Sequence, residues 1–134
     1  MKRPLNLRTF QIGAPPKRGE GLRIGATRRP PRGVPKTRWQ RDGYFDVWLP
    51  VIAPSTRLIL RYRRRDWDDP SVRRQFFQAY ERELGKTQAR QTIQLLAALA
   101  QRTAIAVGCF CSDESRCHRS RLYQVIRHAA SRKA

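Results

Sequence analysis

The chain has 134 residues, 29 Lys and Arg against 10 Asp and Glu, a net charge of +19, and 40% hydrophobic residues. That length suits one domain of about 100–150 residues, and the apolar content excludes a chain disordered throughout. The longest apolar stretches, such as residues 95–100, fall far short of the roughly 20 residues a bilayer crossing needs, and MKRPLNLRTF lacks the apolar core of a secretory signal.

Residues 1–20 hold Gly13, Pro15, Pro16 and Gly19 with few large apolar side chains, which predicts a basic, flexible or loosely docked arm. Residues 21–134 are expected to form a single α/β domain. Leu22 and Ile24 alternate with Arg23, so residues 21–27 read as a strand. The run RRPPRGVPK, residues 28–36, carries three prolines, which forbid helix and central strand and leave a loop bearing Arg28, Arg29, Arg32 and Lys36.

Residues 44–52 are aromatic and β-branched and predict a second strand, limited at its end by Pro50. After a turn at Ala53-Pro54-Ser55-Thr56, residues 57–65 lean towards a short helix. Asp69 suits a helix N-cap and Pro70 the first helical position. Val72, Phe76, Tyr80 and Leu84 then recur every four residues, with Phe77 beside them, and Gly85 ends the helix. A second helix is expected over residues 87–102, with Ile93, Leu96, Leu99 and Ala100 buried. TAIAVGC, residues 103–109, is the almost wholly apolar strand of a sheet buried on both faces. Residues 110–116 form a polar loop, and residues 118–132 a last helix carrying Leu122, Val125, Ile126 and Ala129. This order predicts a small three-layer α/β sandwich with a mainly parallel sheet flanked by helices.

A pI near 11.5 invites a nucleic-acid reading, because clustered Arg neutralises phosphates and releases counterions. Against it, Arg is spread along the chain and codon bias also enriches Arg. The three cysteines, Cys109, Cys111 and Cys117, crowd into nine residues. An odd, crowded set does not resemble a disulfide framework. It reads as a reduced intracellular site, and with the missing signal this places the chain in the cytoplasm.

The segment GCFCSDESRCHRS, residues 108–120, is the most informative. Arg116 and Arg119 flank a helix start, where a cation opposes the helix dipole at a cost of about 0.3–1 kcal/mol. A bound anion would offset that cost, and a thiolate would also be favoured there. Ligands of open α/β sheets bind beyond the carboxyl ends of the strands. If strands 21–27 and 103–109 are neighbours, their loops form one cleft lined by Arg, Cys and His. Four readings of the cysteines stay open. Cys109, Cys111, Cys117 and His118 have the ligand types of a zinc or iron–sulfur site, though C-x-C-x5-C-H is not a zinc-finger spacing. Cys109 or Cys117 suits a reactive thiolate, with His118 as proton carrier. An anion-binding loop with structural cysteines is the third reading, and ordinary core filling the fourth. The phosphatase pattern C-x5-R fails: Arg116 follows Cys111 one residue too early and Cys109 one too late.

From Leu22 to Ile126 the motif order resembles the family known as domain of unknown function 488. Its D-R-x-W-P-R-G-x-x-K pattern corresponds to Thr27-Arg28-Arg29-Pro30-Pro31-Arg32-Gly33-Val34-Pro35-Lys36. Its W-L, A-P-S and D-P motifs correspond to Trp48-Leu49, Ala53-Pro54-Ser55 and Asp69-Pro70. Phe76 or Phe77, with Tyr80, Glu83 and Leu84, fits F-x-x-x-Y-x-x-E-L, and Cys109 to Cys117-His118-Arg119 fits C-x7-C-H-R. Thr27, Pro30 and Cys111 depart from the family's Asp, Trp and acidic residue. The resemblance implies a three-layer α/β fold with a pocket at the strand ends, and carries Arg28, Arg32, Cys109, Cys117, His118 and Arg119 over as site residues. It implies no established reaction.

The sequence therefore predicts an anion-binding cleft in which Arg28, Arg32, Arg116 and Arg119 hold a phosphate-bearing ligand or nucleic acid, with zinc or no metal at the thiols. A non-enzymatic nucleic-acid-binding module is the alternative, using the broad Arg surface and stacking bases on Tyr62 and Trp67 beside Arg61–Arg65. For that run the competing expectation is a solvated helix face with Trp67 tucked into the core. No membrane partner is expected.

Overall fold

The computed structural model describes residues 5–131. Four strands form one parallel sheet: β1 Leu7–Gln11, β2 Leu22–Gly25, β3 Val47–Trp48 and β4 Ile105–Cys109, in the order β1-β4-β2-β3. The all-apolar run IAVGC becomes β4, which is buried along its whole length between β1 and β2. Its register sets Ile105 against both Leu7 and Leu22, and Cys109 against Gln11. The expected adjacency of the strands at 21–27 and 103–109 is present, so their carboxyl ends open side by side.

Four helices follow: α1 Thr56–Tyr62, α2 Pro70–Leu84, α3 Thr87–Ala100 and α4 His118–Ser131. The Ser55 side chain accepts from Leu58 N, and Asp69 accepts from Ser71 N with Pro70 in the first helical position. Buried residues of all four helices join one cluster with Leu7, Ile24, Ala26, Ile105 and Val107 of the sheet. Among the described residues no helix is long and apolar enough to cross a membrane.

The opposite face is covered by the connection between β2 and β3. Phe10, Ile12, Phe45 and Ala106 form its core, with Trp39, Tyr44 and Trp48 packed against them. The third layer is thus an irregular segment with a single 3-10 turn at Lys36–Arg38, not a helix. Close approach needs a bare backbone there. A Cβ on Gly108 would stand 2.6 Å from the Phe10 ring. Under the same layer, Arg23 lies 4.1 Å over Phe10 and pairs with buried Glu20 at 2.6 Å.

Two expectations need correction. Residues 7–11 are an ordered edge strand of the sheet, not part of a flexible arm. Leu7 and Phe10 are three apart and therefore face opposite sides, so each face receives one large apolar residue and no alternation is visible. Residues 1–4 of that expected arm lie outside the described residues. The strand expected over 44–52 is reduced to Val47–Trp48, and Pro50–Ile52 turns as a 3-10 helix because Pro50 has no N–H for a ladder.

Candidate functional site

Cys109 ends β4 and Cys117 immediately precedes α4, so both meet at the carboxyl edge of the sheet. Both are fully buried, and their sulfurs are joined as a disulfide. The pairing departs from the expectation of three separate thiols and leaves Cys111 alone unpaired among the described cysteines. The three-residue turn Glu114–Arg116 folds the intervening loop back, with Asp113 accepting from Ser115 N and Thr9 of β1 donating to Glu114 at 2.5 Å.

His118 opens α4. Its Nε2 lies 2.7 Å from the Ala26 carbonyl oxygen, just beyond β2, and its Nδ1 lies 3.7 Å from Cys117 Sγ. A bond to a carbonyl requires Nε2–H, so the neutral ring turns its Nδ1 lone pair to the sulfur. Burial pushes the His118 pKa down to about 4; the Ala26 hydrogen bond opposes this and the Arg119 charge adds to it. Tyr80 packs edge-on at 5.4 Å between ring centroids and donates its hydroxyl to the Ile52 carbonyl at 2.6 Å. Burial, with Glu83 nearby, holds that phenol well above its ordinary pKa.

Arg119 is 4% exposed. Its Nη1 donates to Cys109 Sγ at 3.2 Å and to the Cys111 carbonyl at 2.5 Å, while its Nε has no partner among the described residues. No carboxylate pairs with it there. A buried cation without an anion costs several kcal/mol, and its fork ends on the sulfur of Cys109.

The remaining predicted residues divide. The potential metal-ligand atoms of Cys109, Cys117 and His118 lie within 4.8 Å of one another. Cys111 stands apart and is exposed, which corrects its place in a four-ligand set: its side chain leaves the strand end for solvent. Arg119 faces the sulfur, not an open cleft. Arg116 is engaged elsewhere, pairing with Asp68 and donating to the Trp67 carbonyl at 3.3 Å. Arg32 is exposed on the proline loop.

Arg28 is partly buried and donates to the carbonyls of Pro54 at 3.0 Å, Pro50 at 2.9 Å and Ala53 at 3.2 Å. It lines a cavity of about 460 Å³ beyond β2 and β3, with Ser55, Glu83 and Lys86 among the other walls. Glu83 accepts from Ser55 N at 2.9 Å and from its hydroxyl. Sequence reasoning missed Lys86 and the part Ala26 plays. A backbone carbonyl leaves no mark in residue identity, whereas Glu83 stood in the Tyr80-x-x-Glu83 pattern.

A family model described as the active DUF488-N3 subclade matches residues 7–130. No curated protein and no solved structure matches the chain.

Proposed function

We propose, for a chain that belongs to the DUF488 family, that Cys109 and Cys117 form the reactive dithiol of an enzyme acting on a phosphate-bearing or nucleic-acid-like substrate. The observation that carries this reading is Arg119, buried without a carboxylate and donating to Cys109 Sγ. In the disulfide that guanidinium has no negative partner. Two equivalents of a thiol reductant open the bond, give two cysteine thiols and leave as their own disulfide. Cys109 then ionises against Arg119, because a neighbouring cation lowers a thiol's pKa. Stabilising the thiolate stabilises the reduced pair, so the disulfide is readily reduced. A reducing compartment such as the cytoplasm would keep the centre in its working form.

His118 is the proton carrier. In the disulfide form it is neutral. A thiolate at the cluster raises its pKa, since a nearby negative charge favours the imidazolium. The Cys117 thiol can then deliver its proton to Nδ1, and that proton remains available to a leaving group. Arg28 and Lys86, set against Glu83 in the charge balance, leave the cavity beyond β2 and β3 net positive, which suits an anionic substrate.

The test is redox equilibration in glutathione buffers, followed by alkylation and mass mapping. The reading predicts that Cys109 and Cys117 become labelled together at a potential above about −300 mV. A pair that resists reduction below that value is a structural disulfide, and the reading falls. A second reading, a zinc site in the reduced protein, is favoured by the three convergent donor atoms. One equivalent of zinc, with thiols that label only after chelation, would select it.

A further inference from the structure

We infer that the segment Arg61–Arg65 is a docking surface for the phosphate backbone of a nucleic-acid strand. The segment runs off the end of α1 as Arg61-Tyr62-Arg63-Arg64-Arg65, and all four arginines are exposed. None of them pairs with a carboxylate among the described residues. The nearest acidic residues along the chain are occupied elsewhere. Asp66 accepts from Asp68 N at 3.0 Å, Asp68 pairs with Arg116, and Asp69 caps α2. Four cations packed into five residues without an ion pair among the described residues repel one another, and a polyanion relieves that repulsion by displacing its own counterions.

The placement of the run supports this surface. Trp67, two residues on, donates its indole N–H to the Arg116 carbonyl at 3.1 Å and accepts from Arg116 at 3.3 Å. Arg116 directly precedes Cys117. The basic run is therefore tied to the loop that leads into α4, at the same edge of the sheet as the cysteine pair.

The aromatic residues define the mode of binding. Tyr62 is buried, edge-on to Phe76 at 5.6 Å, with Arg61 and Arg65 at 5.8 and 5.7 Å from its ring centroid. Trp67 packs edge-on to Phe76 and Phe77. Tyr62 is thus core, and Trp67 is partly buried against the same cluster, as the competing expectation for this run had it. Contact falls to guanidinium forks on phosphates, which position a strand without reading its sequence. The surface does not depend on the dithiol reading, because no residue of the run hydrogen-bonds to Cys109, Cys117 or His118.

The test is fluorescence anisotropy of a labelled oligothymidine and of a labelled mixed-sequence duplex, titrated with full-length protein across about 50–200 mM salt. Three variants are compared: R61Q/R63Q/R64Q/R65Q, the milder R63Q/R64Q, and R74Q/R82Q/R90Q/R127Q. The last removes the same charge from exposed positions elsewhere, and thermal melts establish that each variant is folded. Loss of four phosphate contacts flattens the slope of log K against log salt by about 3, and loss of two by about half as much. The distant variant keeps most of the slope, and changing the base sequence alters affinity little. Equal losses in the local and distant four-residue variants would overturn the proposal, because net charge alone would then account for binding. Undetectable binding at about 50 mM salt, or binding only to anionic phospholipid vesicles, would overturn it as well.

Discussion

His118 is buried neutral in the oxidised protein, and this has a direct consequence for stability against pH. The unfolded chain carries a histidine of ordinary pKa near 6.5, whereas the folded value is about 4. Above about pH 6.5 both states are neutral and the folded state keeps its full advantage. As pH falls towards 4 the unfolded chain takes up a proton that the folded chain refuses, so stability declines. At about 1.4 kcal/mol per pH unit over that window, the loss reaches at most about 3 kcal/mol. His118→Gln keeps an amide N–H for the Ala26 carbonyl and removes the titration. Urea unfolding of the oxidised wild type and variant at intervals from pH 7 to pH 4 should give diverging curves, with the wild type losing up to about 3 kcal/mol more. Parallel curves would show that the ring reaches water in the folded state, and would refute the assignment of a fixed neutral tautomer.

The second face of the sheet is open to two further tests. Glu20→Gln leaves Arg23, 4% exposed, without its anion, and should cost about 3–5 kcal/mol in urea unfolding; a loss under about 1 kcal/mol would mean that Arg23 reaches solvent. Gly108→Ala drives a methyl group to 2.6 Å from the Phe10 ring and should cost about 1–3 kcal/mol. Phe10→Leu in the same chain should restore part of the lost melting temperature, and no loss in the single variant would contradict the packing described.

The helices were legible because each carries its own signal. Asp69-Pro70 and the four-residue spacing from Val72 to Leu84 marked α2, and IAVGC marked a buried parallel strand. β1 was not legible, because one apolar residue per face makes no pattern and the adjoining Pro and Gly suggested an arm. The cover of the second face was equally hidden. A proline-rich connection does not announce that Phe45 will pack on Gly25 with Trp39 edge-on to it. At the site, crowding of Cys109, Cys117, His118 and Arg119 was plain from spacing alone. Which of these groups meet depends on where α4 starts relative to β4, a tertiary fact. Arg119 illustrates the limit. A cation at a helix start signalled a need for negative charge, but only packing directs its fork to a sulfur and not to an outside anion.

The measurement that bears most directly on the reactive dithiol is the thiolate ultraviolet absorbance of reduced Cys111→Ser protein, titrated against pH beside the same protein carrying Arg119→Gln. Burial alone raises a thiol above the free value of about 8.5, whereas an adjacent guanidinium lowers it. With Arg119 Nη1 at 3.2 Å from Cys109 Sγ, one thiol should ionise well below about 8.5, and that step should move up when Arg119 is replaced. Two thiols that both titrate at or above about 8.5, unchanged by the substitution, would contradict the account.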